Sequence, residues 1–320
     1  MRVELVTRAG SELARRAAAH GVTVHGVSWR WGFDPRTVLG LLPRLAPEPP
    51  DIIHVHDAHA LSVVRWALRL RRLPAPRRPA VVATRRVDFH LRRAASWIAT
   101  DAIIAISAAV KRILVSDGVP ESHIRVVPDG IDPGEIRWAS TAAPNIRSRL
   151  GLPAGVPLAV NVAALVGHKD QLTLIEAAAH ARDEGANLVW VIAGEGPKRP
   201  ALERAIKDLG LASHVHLVGY IEEVDALINE ADVLVMSSRE EGLGSVVLHA
   251  LALGKPVVAT RAGGLPELVG PRWLADVGDA RGLAARVVTA ITQRPRTVLP
   301  ERHTVDAMAA AVVATYEALV

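Results

Sequence analysis

One stretch, Ser238 to Thr260 (SREEGLGSVVLHALALGKPVVAT), holds most of the side chains in this sequence that could do chemistry. A glycine loop opens a helix, a Gly-Lys-Pro turn ends it, and a buried apolar run follows. Backbone N–H groups near Gly244 and Ser245 at such a start lack intrahelical partners, and the positive end of the helix dipole lies there. That arrangement suits a phosphate without a metal. Glu241 sits on the loop, and His249 lies one helical turn into the run.

Other segments supply groups of the same kind. VAALVGHKDQLTLIEAAA puts Lys169 after an apolar run and at a helix start, where a cation opposes the dipole and favours an anion between them. An ordinary exposed lysine has the same pattern. VIAGEGPKRPALE carries Gly194, Glu195 and Gly196 after a strand, where glycines admit a ligand to the backbone or simply make the turn. ATRAGGLPELVG repeats that pattern with Gly263 and Gly264.

In the first half, IIHVHDAHA places His54 and His56 on one strand face, with Asp57 and His59 at its carboxyl end. Metal ligation needs a second ligand cluster, and none is evident, so no metal site is expected. His56, Asp57 and His59 either line a cleft or make structural polar contacts. ATRRVDFH adds Arg85, Arg86 and Asp88, and arginine's planar fork suits phosphate or carboxylate. Nothing in the sequence reads as a Ser-His-Asp triad, a Walker loop or a deaminase signature.

The elements that must position these groups alternate from end to end. Short apolar runs occur at 3–7, 22–27, 51–56, 80–84, 102–106 and 124–127, and again at 158–163, 188–193, 215–218, 233–236 and 256–260. Helical spacing lies between most of them. The alternation predicts parallel sheets covered by helices on both faces, in two doubly wound halves. Half the residues are hydrophobic but only 3% are aromatic, so the core is built from Ala, Val, Leu and Ile. With 320 residues the chain suits two domains. A stretch at 128–157, holding five prolines and four glycines, breaks the rhythm. The expected division is a first domain at 1–140, a second at 141–304, and a closing helix at 305–320 that packs back on the first domain. Ligands in such sheets sit beyond the carboxyl ends of the strands, so two facing units imply a cleft.

Net charge is +5, with ten arginines and one acid, Asp88, between Arg65 and Arg93. An anionic membrane surface, an anionic acceptor or a solvated arginine-rich face would each explain the bias. Nucleic acid is not expected, because few aromatics are interleaved for base stacking. The chain has no cysteine, no apolar run long enough to span a bilayer and no signal-peptide pattern at its start, which fits a cytoplasmic protein.

Taken in order, VAALVGHKDQ, VIAGEGP, HVHLVGY and SSREEGLGSVVLHALALGKPVVATRAGGLPELV, with the earlier HIRVVPDGID, resemble the family 4 retaining glycosyltransferases, which have the GT-B fold. The resemblance covers nearly the whole chain. It implies two Rossmann-like domains facing across a cleft. It also implies a nucleotide-sugar donor, a glycan or lipid-linked acceptor such as lipopolysaccharide core, and no essential metal or other cofactor. Lys169 matches the lysine that binds the donor diphosphate, and Glu241 the glutamate that contacts the donor sugar; these are the expected catalytic residues. Gly242, Gly244 and Ser245 match the phosphate loop, Gly194 and Gly196 a second donor loop, and Gly219, Tyr220 and Ile221 the nucleobase cradle. His56, Asp57, His59, Arg86 and Asp88 fall on the acceptor side. Family habit and the arginine-rich first domain together place the protein at the inner face of the cytoplasmic membrane, as a peripheral contact.

Three departures accompany the resemblance. His249 stands where the family has a second glutamate that grips the ribose; histidine cannot hold two hydroxyls as a carboxylate does, so His249→Glu is expected to tighten donor binding. Ala164 stands where an arginine beside the diphosphate is common. The usual first strand and its glycine loop are not found, which implies a gap in the first sheet. A start upstream of Met1 is the preferred explanation, ahead of a non-catalytic relative; a hydrolase or epimerase on the same fold is the remaining alternative.

Overall fold

The computed structural model describes residues 1–28, 35–45, 48–71 and 78–320. The first half runs β1 (Glu4–Arg8), α1 (Glu12–Ala19), β2 (Thr23–Val27), α2 (Pro35–Leu41), β3 (Ile52–Val55), α3 (Ala58–Arg71), β4 (Ala80–Arg85), α4 (Ala94–Ile98), β5 (Ala102–Ala105), α5 (Ala108–Ser116) and β6 (Ile124–Val126). Two short helices, α6 (Pro133–Ala139) and α7 (Ile146–Arg149), occupy the stretch that breaks the rhythm. Asp132 caps α6 and Pro133 enters its first turn, so a segment rich in helix breakers still nucleates a helix.

The second half runs β7 (Leu158–Val162), α8 (Gln171–Asp183), β8 (Val189–Ala193), α9 (Arg199–Asp208), β9 (Val215–Gly219), α10 (Val224–Glu230), β10 (Val233–Met236), α11 (Ser245–Ala252), β11 (Val257–Thr260), β12 (Leu274–Ala275) and α12 (Ala280–Gln293). The chain closes with α13 (Val305–Glu317).

Among the described residues, all strand pairs are parallel. The second sheet has the order β12-β11-β10-β7-β8-β9, a doubly wound arrangement whose order reverses between β10 and β7. Strands β8, β10 and β11 are buried at every position, which is why they read as unbroken apolar runs. In the first half the strands form two sheets, β1–β2 and β3-β4-β5-β6. Strand β1 accordingly alternates between exposed and half-buried positions, whereas β5 is wholly buried.

Two crossings join the halves. They pair with each other: Ile131 N–H donates to His303 O (2.9 Å) and Val305 N–H to Ile131 O (3.0 Å). Beyond them, Met308, Ala311, Val312, Tyr316 and Leu319 of the closing segment pack on Val82, Ala102, Ile104 and Val127 of the first half. An apolar cluster also crosses the interface, joining Leu243 and Leu248 of the second half to Val110 and Leu114 on α5.

Candidate active site at the interdomain cleft

The reversal between β10 and β7 sends the following helices to opposite faces of the sheet, so the loops after these two strands diverge and leave a crevice. Lys169 lies in the loop after β7 and Glu241 in the loop after β10. Their side chains meet: Lys169 Nζ is 2.5 Å from Glu241 Oε2, with the side chains 19% and 11% exposed. Ser238 Oγ donates to the same carboxylate oxygen (3.3 Å). Two hydrogen bonds lace the loops together: Arg239 N–H donates to His168 O (2.8 Å), and the Ser237 hydroxyl donates to Lys169 O (3.0 Å). Asp170, buried and in a left-handed conformation, takes Arg239 Nε (2.8 Å) and the Thr173 hydroxyl (2.7 Å). Lys169 is thus placed by a hydrogen-bonded frame.

Gly244 precedes α11 with φ +89°, and no side chain caps that helix start. Val247 N–H donates to Gly244 O (2.9 Å), so the N–H groups at Gly244 and Ser245, on the loop that carries Glu241, are the donors this helix start offers an anion. Lys198 was not singled out in the sequence. Its Cε lies 3.9 Å from where a Cβ on Gly167 would stand, which brings a second ammonium to the Lys169 turn where Ala164 supplies none.

Gly194 and Gly196 meet a need of the fold itself, in line with the second of the two readings their sequence allowed. A Cβ on Gly194 would stand 2.0 Å from Ala163 O, and one on Gly196 2.5 Å from Leu165 O. The protein's own backbone fills that space, so these glycines serve loop-on-loop packing. Gly219 O accepts Gly194 N–H (2.7 Å), Tyr220 is 76% exposed, and Ile221 packs on the core beneath.

His249 is not alone. Its Nδ1 is 2.6 Å from Asp225 Oδ1 in the first turn of α10, a partner that sequence reasoning missed. The two positions are 24 residues apart, and no local pattern joins them. Asp225 bears directly on the expectation for His249→Glu, because a second carboxylate at this position would face it.

On the first-half wall, Asp57 is committed to α3, accepting His59 N–H (2.8 Å) and Ala60 N–H (2.7 Å) as a helix cap. His59 is exposed beside it. The imidazoles of His56 and His54 stack at 4.3 Å. Arg86 reaches the opposite wall: its backbone O would be 2.4 Å from a Cβ on Gly242. Its guanidinium pairs with Asp129 (2.7 Å). Burial raises the Asp129 pKa against the pull of Arg86, and the string PDGID was the only signal for this carboxylate. His56 is held below its ordinary value by desolvation and by Arg86. Asp88 comes close to Gly263, with Oδ2 2.9 Å from a Cβ built there, and Phe89 meets His168 edge-on at 5.4 Å. The site therefore unites Lys169, Glu241, Gly242, Gly244, Ser245, Arg86 and Asp88, while Asp57 serves the scaffold. Among the described residues, no group of three or more His, Asp or Glu side chains is placed to hold a metal ion.

Residues 143–306 match the family model described as glycosyl transferases group 1, and residues 1–135 match glycosyltransferase family 4. The chain is 32% identical over 230 residues to a 2-deoxystreptamine glucosyltransferase of Streptomyces kanamyceticus, covering 70% of this chain and 57% of that protein. It is 30% identical over 265 residues to the lipopolysaccharide core biosynthesis glycosyltransferase LpsE of Rhizobium meliloti, covering 80% and 70%. It is 32% identical to a GDP-mannose-dependent phosphatidylinositol monomannoside mannosyltransferase of Mycobacterium tuberculosis, covering 66% and 56%. The matched region thus spans between 56% and 70% of the length of these relatives. Among solved structures, Anabaena Alr3699/HepE in complex with UDP and glucose superposes with a TM-score of 0.81 at 21% identity, over 98% of this chain and 91% of that one, a likeness of fold.

Proposed function

This chain belongs to the group 1, family 4 glycosyltransferases, and on that premise we propose that it moves a sugar from a nucleotide donor to a cell-envelope acceptor with retained anomeric configuration. The observation that carries the proposal is the Lys169–Glu241 pair beside the uncapped start of α11. As the glycosidic bond to the nucleoside diphosphate breaks, negative charge builds on the leaving phosphate. Lys169 and the N–H groups at Gly244 and Ser245 are fixed in place to meet that charge without reorganising. Glu241 accepts hydrogen bonds from the donor sugar, and Gly219 to Ile221 take the base. On this reading no resident metal or cofactor is required.

The GDP-mannose dependence in one relative's name supports a nucleotide-sugar donor, and the relatives' names bear on the acceptor. By name, one serves lipopolysaccharide core biosynthesis, one is a phosphatidylinositol monomannoside mannosyltransferase and one a 2-deoxystreptamine glucosyltransferase. A peripheral position on the inner face of the cytoplasmic membrane is favoured by α3, where Arg65, Arg69 and Arg71 flank the exposed Trp66 and Leu70. Arg72 and Arg77 of that basic stretch lie outside the described residues. Among the described residues no helix is long and apolar enough to cross a membrane.

The test is a thermal-shift panel of nucleoside diphosphates and their sugars, then transfer to lipid-linked and lipopolysaccharide-core acceptors with the new linkage read by NMR. One base should stabilise the protein, by about 2.7 kcal/mol at roughly 100 times Kd, and the linkage formed should keep the donor's anomeric configuration. Stabilisation by no nucleotide would remove the reading.

A smaller set of variants addresses His249. His249→Glu is expected to weaken donor binding, because the new carboxylate faces Asp225, and His249→Glu with Asp225→Asn to recover it. Equal affinity in the single and double variants, measured by titration calorimetry, would remove His249 from the donor site.

A further inference from the structure

The loop that carries Glu241 is held from the opposite domain. Ser107, fully buried, caps α5 by accepting Val110 N–H (3.0 Å), and its hydroxyl donates across the cleft to Gly242 O (2.6 Å). The next two amides of the same helix start, Ala108 N–H and Ala109 N–H, donate to the two carboxylate oxygens of Glu267 (3.0 and 2.9 Å). Glu267 lies on the turn that follows Gly263 and Gly264. That turn is bound to the Glu241 loop backbone to backbone: Gly264 N–H donates to Glu241 O (2.9 Å), and a Cβ on Gly263 would stand 1.8 Å from the same oxygen. On its outer side, Arg302 holds Glu267 O (3.0 Å), and Leu268 and Leu299 pack into the cluster that contains Val110 and Leu114.

One helix start in the first half therefore receives both neighbours of the site, the carbonyl next to Glu241 and the carboxylate that closes the adjoining turn. Gly242 leaves no slack in this junction, because a Cβ there would stand 2.4 Å from Arg86 O and 3.4 Å from Ile106 Cδ1. A carboxylate at a helix N-terminus is favoured by the dipole and by two charge-assisted bonds. A buried hydroxyl that loses its acceptor leaves an unpaired donor. Both bonds are therefore made only when the domains are docked in one register.

We propose that the start of α5 is the stop that sets the Glu241 loop, so that Ser107 and Glu267 are positioning residues through which domain docking assembles the catalytic geometry. This rests on Glu241 and Lys169 being the donor-binding pair. Nucleoside diphosphate is held by Lys169 and α11, both within the second domain, so it binds whether or not the domains are docked. Sugar placement by Glu241, and hence transfer, depends on the α5 contact.

Ser107→Ala and Glu267→Gln test this in the full chain. Hydrogen exchange of the peptide spanning 238–248 should speed up about 10-fold in both variants, while the amides of β10 and β11 stay protected. Transfer kcat should fall about 10- to 100-fold, the range expected for a catalytic group displaced by about 1 Å. The Kd for the nucleoside diphosphate that the wild type prefers should change by less than about 3-fold, so that the loss falls on kcat and on the preference for the sugar nucleotide over the bare diphosphate. Unchanged loop exchange in both variants overturns the proposal. So does a lowered melting temperature with wild-type kcat below it, which would mark the contacts as interface stability alone. If the wild type neither binds a nucleoside diphosphate nor transfers sugar, the donor-site assignment fails instead, and the exchange measurement still decides the coupling.

Discussion

Lys169→Ala will weaken the binding of a nucleoside diphosphate about 10- to 100-fold, as expected for losing about 1.5–3 kcal/mol of charge-assisted bonding, and will lower sugar transfer about 100- to 1000-fold. Glu241→Ala will lower transfer by a similar factor but leave diphosphate binding unchanged or tighter. The opposite signs follow from the ion pair itself. Lys169 and Glu241 are 2.5 Å apart and mostly shielded from water, so each carries part of the other's charge. Removing the lysine leaves a carboxylate, uncompensated, beside the diphosphate, and repulsion adds to the lost attraction. Removing the glutamate frees the ammonium for the phosphates, while the sugar loses its acceptor. The double variant should bind diphosphate between the two single variants, because the two effects couple. Titration calorimetry with the nucleoside diphosphate, beside a transfer assay with the sugar nucleotide, separates these terms. If Glu241→Ala weakened diphosphate binding as much as Lys169→Ala, the pair would be a structural bridge and not the donor site.

Acidification will destabilise the fold below about pH 6.5, and His54 will carry a large part of the loss. Its Nδ1 shares a hydrogen bond with Tyr316 Oη on α13 (2.6 Å), and its Nε2 shares one with Thr84 Oγ1 on β4 (2.6 Å). Burial, with His56 and Arg86 adding to it, lowers its pKa from 6.5 to about 3. The folded state thus refuses a proton that the unfolded chain accepts. The stability gained from keeping His54 neutral is complete above pH 6.5 and declines as pH falls toward 3. The decline reaches at most about 1.4 kcal/mol per pH unit. His216 and His303, also lowered by burial, act with the same sign. Asp129, raised by burial, opposes them, because protonating it favours the folded state. His54→Gln keeps hydrogen-bonding atoms at the site and removes the titration. Its melting temperature should fall less steeply than that of the wild type between pH 6.5 and 4.5. Parallel slopes would show that His54 is not the group responsible. Since His54 bonds directly to Tyr316, the same experiment reads how firmly α13 is held on the first half.

The sequence by itself determined nearly all of the strands and pointed to part of the candidate site. Among the described residues, eleven of the twelve strands lie within a residue or two of apolar runs, most cleanly β8, β10 and β11, where burial on both faces of a parallel sheet favours unbroken apolar side chains. Strand β12, of two residues, is too short for any period to register. Lys169, Glu241 and the Gly244–Ser245 helix start were legible because each is a local pattern, a charge or a glycine at a fixed offset from a strand end. The partners were not. Asp225 beside His249, Asp129 beside Arg86, and Glu267 on α5 are joined across 24, 43 and 158–159 residues. Periodicity says that a residue is buried or sits at a strand end, and it carries no information about which other strand end lies opposite. That was decided by the strand order, whose reversal between β7 and β10 brought Lys169 to Glu241, and by the docking of the two halves, which closed α5 on the loop beside them. The same limit explains Gly194 and Gly196. A missing side chain reads as room for a ligand or as a turn, and only tertiary packing shows the backbone that lies against it.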